Sequence, residues 1–115
     1  MKICYFDAFS GIAGDMTVGA LIDAGAAFEP LAAALDSLGM GSAFRVEKVH
    51  RGGIAATLFV VEGGEQRAHR HLPHILRMID AGALPDQVKE NAAAIFRKLG
   101  EAEARVHGVP GEKIH

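Results

Sequence analysis

The spacing of apolar side chains changes character several times along this chain, and each change predicts an element. Lys2-Ile3-Cys4-Tyr5-Phe6 is a short run rich in β-branched and aromatic residues, suited to a pleated strand, and it stops at Asp7. Met16, Ala20, Leu21 and Ala24 then share one face at the 3.6-residue period, which predicts a short helix ending at Gly25. Gly19 in its middle costs the helix about 1 kcal/mol relative to alanine and points to close packing against a neighbour. Glu29-Pro30 opens a second helix whose stripe is Leu31, Ala34, Leu35 and Leu38, with Gly39 as its end.

A different rhythm follows. The β-prone runs 44–51 and 54–61 flank Gly52-Gly53, a pair suited to the left-handed turn of a hairpin. The first run alternates through Phe44 and Val46 and slips at Lys48-Val49, whereas the second is apolar on both faces and is expected to be the more central strand. Residues 62–67 are polar and glycine-containing, a loop. Helical spacing returns with Leu72, Ile75, Leu76 and Ile79, behind Pro73 in the opening turn and ahead of Gly82. From Pro85 to His107 the period holds through Val88, Ala92, Ile95, Phe96, Leu99, Ala102 and Val106, and Gly108 and Pro110 end it. The predicted order is β-α-α-β-β-α-α. The expected fold is α/β (α+β), a small three-stranded mixed sheet covered by about four helices.

Composition narrows the picture. The chain has 115 residues, room for one domain over 1–108, with 109–115 as the start of a linker or a next element. Half the residues are hydrophobic, 23% are charged and the net charge is -2, values of an ordinary globular protein. With 12 basic and 14 acidic residues, no tryptophan and one tyrosine, neither a positive field nor stacking platforms point to nucleic acid. No stretch approaches the roughly 18 apolar residues of a membrane span, and no secretory signal is present, so a cytoplasmic location is expected. Cys4, the single cysteine, reads as a small buried hydrophobe in a reducing compartment.

Three groups of residues carry candidate chemistry. The first is the loop after the opening run. Asp7, Ser10 and Asp15 offer oxygen ligands to Mg²⁺, while Gly11 and Gly14 open the backbone for an anion on N–H groups. The bland alternative is a tight strand-to-helix turn in which Asp7 binds loop N–H groups and Asp15 caps the helix. The spacing fits neither the dinucleotide fingerprint nor the P-loop. The second group is His69-Arg70-His71-Leu72-Pro73-His74. Three imidazoles can gather at this predicted helix start as ligands for nickel or zinc, with Arg70 available for a phosphate or carboxylate. Surface histidines at a helix start are the alternative. The third is the hairpin tip, His50-Arg51-Gly52-Gly53, either a solvated turn or a basic anchor. His107 suits the helix macrodipole at the end of the long helix.

Set side by side, YFDAFSGIAGDM at 5–16, VHRGGIAAT at 49–57, HRHL at 69–72 and FRKLGEAEARVHGVP at 96–110 resemble the N-terminal part of a known family. It is the nickel insertion protein of the lactate racemase maturation system. The resemblance implies a nickel chelatase of the lyase class. It would insert Ni²⁺ into pyridinium-3,5-bisthiocarboxylic acid mononucleotide to form the nickel-pincer cofactor, consuming CTP with Mg²⁺ or Mn²⁺ assisting. Carried over by motif, Asp7, Ser10, Gly11, Gly14 and Asp15 match the opening loop, with Asp7 and Asp15 in the catalytic role. Arg51 and Gly52 match the basic-glycine turn. His69, Arg70 and His71 match the histidine segment, with His74 added as a metal ligand. His107, Gly108 and Pro110 match the helix end. Where members carry a longer histidine run, Glu65-Gln66-Arg67-Ala68 stands here. The implied partners are a C-terminal domain of the same protein or a split-gene product, the mononucleotide, and further copies in a homo-oligomer. A purely architectural or oligomerisation domain is the other expectation, motivated by the long helix.

Overall fold

The computed structural model describes residues 1–63 and 70–108. Its elements are α1 (Gly14–Asp23), α2 (Phe28–Asp36), β1 (Ser42–Arg51), β2 (Ile54–Gly63), α3 (Leu72–Ala81) and α4 (Asp86–His107). The fold is α+β in the order α-α-β-β-α-α, and the sheet among the described residues has two antiparallel strands. This corrects the expected β-α-α-β-β-α-α order and the three-stranded mixed sheet. Lys2–Phe6 forms no strand, because a β-prone run becomes one only when a neighbour takes up its backbone hydrogen bonds. Cys4 is correspondingly exposed, not a buried hydrophobe.

The chain forms two compact units. The first comprises Met1–Phe28 and Phe44–Glu62, which hold α1 and nearly all of the hairpin. Gly52 and Gly53 have φ of 55° and 80°, the paired left-handed conformation that joins two strands through a two-residue turn. Phe44 and Phe59 stack across the hairpin with ring centroids 5.9 Å apart, and Phe59 is buried. Arg45 on β1 binds Glu62 on β2 and also pairs with Glu47. α1 lies on β2 through Gly19, where an added Cβ would stand 2.8 Å from the Thr57 carbonyl oxygen. That contact explains why the buried face of α1 is not the expected one. Val18, Gly19 and Ile22 turn inward, while Met16, Ala20, Leu21 and Ala24 are exposed. Backbone proximity at a glycine has displaced the larger side chains from the packing surface.

The second unit comprises Glu29–Ala43 and the described part of 63–115. α3 packs on α4 through Gly100, whose missing side chain admits Leu72 of α3. The α3 stripe of Leu72, Ile75, Leu76 and Ile79 is inward, and Ile79 is buried. Gly82 closes α3 for want of space rather than for a left-handed turn: Leu38 and Ser37 crowd the position of its Cβ. Ser37 Oγ accepts the Ala83 N–H at 2.9 Å and ties the end of α2 to the end of α3. Gly108, at φ 66°, ends α4 in the left-handed cap the sequence predicts. The α4 stripe is covered only in part. Val88, Ile95, Leu99 and Val106 are exposed, because α3 takes the Gly100 face of the helix.

Candidate functional site

In the first unit, the opening loop begins with Asp7 exposed in an extended segment, followed by a turn in which Gly11 N–H donates to the Ala8 carbonyl at 2.9 Å. Gly11 has φ 85°, the left-handed conformation that glycine takes without strain. α1 starts at Gly14, two residues before the expected Met16, and its N-cap is Ala13. Asp15 is therefore inside the first turn instead of capping it, and its Oδ1 accepts the Met16 N–H at 2.9 Å. An acidic side chain there suits the positive end of the helix dipole.

The exposed face of α1 is one wall of a cleft of about 500 Å³. Met16 and Ala20 line it from α1, Leu58 and Phe59 from β2, and Val49 from β1. Into these mostly apolar walls project Asp15, Asp23, Arg51 and Thr57. Apolar walls with a few convergent polar groups are the usual make-up of a small-molecule site. Among the described residues Arg51 forms no hydrogen bond or ion pair, so its guanidinium is available to an anion. Thr57 Oγ1 donates to Asp23 Oδ1 at 2.7 Å and accepts from Lys48 Nζ at 2.8 Å. Lys48 and Asp23 lie 3.7 Å apart and are largely solvated, so their pairing orients side chains more than it stabilises the fold.

The structure thus brings together two of the residues singled out in the sequence, Asp15 and Arg51, on one cleft. Asp7, Ser10, Gly11 and Gly14 do not line it, and neither does Gly52 at the hairpin tip. Asp23, Lys48 and Thr57 were missed. The available signal was Gly19: a close approach there carries Asp23, one helical turn on, toward the same strand.

The second unit holds the histidine segment. His71 is the N-cap of α3, and its carbonyl accepts the N–H groups of His74 and Ile75 at 3.0 and 3.1 Å. His71 is exposed and His74 half-buried in the first turn. His69 lies outside the described residues, as do 109–115. No cluster of three histidine, cysteine or acidic side chains able to hold a metal occurs among the described residues. Arg70 and Glu103 flank an otherwise apolar groove of about 220 Å³ between α3 and α4, lined by Leu72, Ile75, Phe96, Leu99 and Gly100. His107 pairs with Glu103 at 3.0 Å, one turn back along α4, so its local role at the helix end is filled. No described helix is long and apolar enough to cross a membrane.

Comparison with known proteins completes the description. The chain is 51% identical over its whole length to a protein of Geobacter sp. (strain M21), which carries a provisional name as a nickel insertion protein. It is 47% identical, again over its whole length, to the pyridinium-3,5-bisthiocarboxylic acid mononucleotide nickel insertion protein of Desulfitobacterium hafniense (strain DSM 10664 / DCB-2). The chain spans about 30% of the length of the first relative and 29% of the second. No solved structure matches it. The family described as nickel insertion protein matches residues 4–115, and the chain belongs to that family.

Proposed function

We propose that this chain serves the insertion of nickel into pyridinium-3,5-bisthiocarboxylic acid mononucleotide, and that the cleft of the first unit receives the mononucleotide. The observation that carries this reading is the family match over 4–115, joined to the meeting of Asp15 and Arg51 on one cleft. The ligand is a flat pyridinium ring bearing two thiocarboxylates and a ribose phosphate. Arg51 pairs with the phosphate through charge-assisted hydrogen bonds. The apolar side chains of Met16, Leu58 and Phe59 exclude water around the ring. Asp15 and Asp7 supply carboxylate oxygens for Mg²⁺ or Mn²⁺ accompanying CTP, with Ser10, Gly11 and Gly14 shaping the loop and Gly52 the turn beside Arg51.

Nickel is the cargo. His69, His71 and His74 hold it, since imidazole binds borderline metals firmly enough to present them and exchanges them more readily than a thiolate cage does. Arg70 contacts an anionic part of the nucleotide or CTP. Nickel transfer belongs to the full-length, cytoplasmic protein, and the 115-residue chain by itself is expected to bind without turning over. The test is nickel insertion by the full-length protein carrying His71→Ala with His74→Ala, alongside Ni²⁺ titration calorimetry. Loss of both nickel affinity and insertion supports the assignment. Unchanged insertion removes it.

A second reading, a scaffold or oligomerisation domain, is favoured by the exposed Val88, Ile95, Leu99 and Val106 on α4. Light scattering on the chain separates the two: an oligomer with no affinity for nickel or mononucleotide supports the scaffold.

A further inference from the structure

Lys2–Phe6 is the most apolar run of the chain left without a partner. Ile3 is 82% exposed and Tyr5 85%, and Phe6 is exposed beside them. Among the described residues the first backbone–backbone hydrogen bond of the chain is the one from Gly11 to Ala8, so residues 1–7 neither donate nor accept one. In an extended run successive side chains point to opposite faces. Ile3 and Tyr5 then occupy one face, Cys4 and Phe6 the other, and both faces are apolar. A strand at the edge of a sheet, or on an open sheet, is apolar on one face only. A strand apolar on both belongs inside a sheet that is covered on both sides.

The described part of this chain has nothing of that kind to offer, since its one sheet is the β1–β2 hairpin. The relatives, however, match this chain over only about 30% of their length. We infer that Lys2–Phe6 is an internal strand of a β-sheet whose other strands lie in the part of the family's protein outside this match. The docking surface is the strand itself, both edges and both faces. A second copy of the chain fits these requirements less well. Two copies pairing through Lys2–Phe6 form a two-stranded ribbon, marginal in water, with its apolar faces still open. An unpaired apolar edge is also a template for aggregation, which a proper sheet removes. The inference is independent of the ligand assignment above. It has one consequence for it: once paired, the strand delivers Asp7 at its carboxyl end, the position where α/β sheets place ligand-binding groups.

Amide hydrogen exchange read by mass spectrometry tests this on the 115-residue chain alone and joined to the remaining region in a full-length protein. In the chain alone, amides 3–6 are expected to exchange at unprotected rates. In the joined protein they are expected to slow by about 100-fold or more. Equal, fast exchange in both overturns the inference. A second arm uses Tyr5→Lys. Circular dichroism of the variant chain is expected to match the original, because Tyr5 is exposed in it. Its affinity for the separately produced remainder is expected to fall about tenfold or more, the equivalent of about 1.4 kcal/mol. Unchanged affinity counts against the proposal, and so does a homodimer of the chain alone that Tyr5→Lys dissociates.

Discussion

Lys2–Phe6 and Ile54–Val61 have much the same composition, β-branched, aromatic and apolar on both faces, yet only the second is a strand. The difference lies in distance to a partner. Ile54–Val61 has β1 two residues away, across a Gly52-Gly53 turn whose positive φ angles match the twist of the strands it joins. Lys2–Phe6 is followed by a loop and a helix, so its neighbour must come from elsewhere. β propensity measures fitness for a pleated, half-buried surface and does not create that surface.

That contrast can be broken experimentally, beginning with the largest effect. Phe59→Ala removes the buried ring that stacks on Phe44 and is expected to destabilise the first unit by about 3 kcal/mol, read as a lower urea midpoint. Gly19→Ala puts a methyl group against the Thr57 carbonyl and is expected to cost about 1–3 kcal/mol, because backbone on both sides must give way. Gly53→Ala strains the turn at φ 80° and is expected to cost about 1 kcal/mol, with the sheet signal in circular dichroism weakened. Ile3→Ser with Tyr5→Ser, by contrast, is expected to move the midpoint by less than about 0.5 kcal/mol, because neither side chain is covered in this chain. A large loss from that pair would mean that the opening run already packs here, and the comparison would fail.

The same contrast separates what was legible in the sequence from what was not. The hairpin, α3, and α4 with its Gly108 cap were legible because each is specified by residues close in sequence. The third strand was misread because pairing is not local. The packing face of α1 was misread for a related reason. Periodicity ranks side chains by hydrophobicity and assigns Met16, Ala20 and Leu21 to the core, whereas contact with β2 is made where there is no side chain at all, at Gly19. The apolar face left outside became a wall of the cleft. Of the site, Asp15 and Arg51 were legible from their motifs. Asp23, Thr57 and Lys48 were not, since helix-on-strand packing brings them together from three elements. On the histidine segment, His71 and His74 fall at the start of α3 as the sequence implied, and the gathering of three imidazoles rests on His69.

The central claim is that the Arg51 cleft receives the mononucleotide. Calorimetric titration of the full-length protein with pyridinium-3,5-bisthiocarboxylic acid mononucleotide, repeated with Arg51→Ala, tests it most directly. Loss of a charge-assisted phosphate contact worth about 1.5–3 kcal/mol is expected to weaken binding about tenfold to a hundredfold, with the urea midpoint unchanged. Equal affinity for the original and the Arg51→Ala protein would contradict the claim.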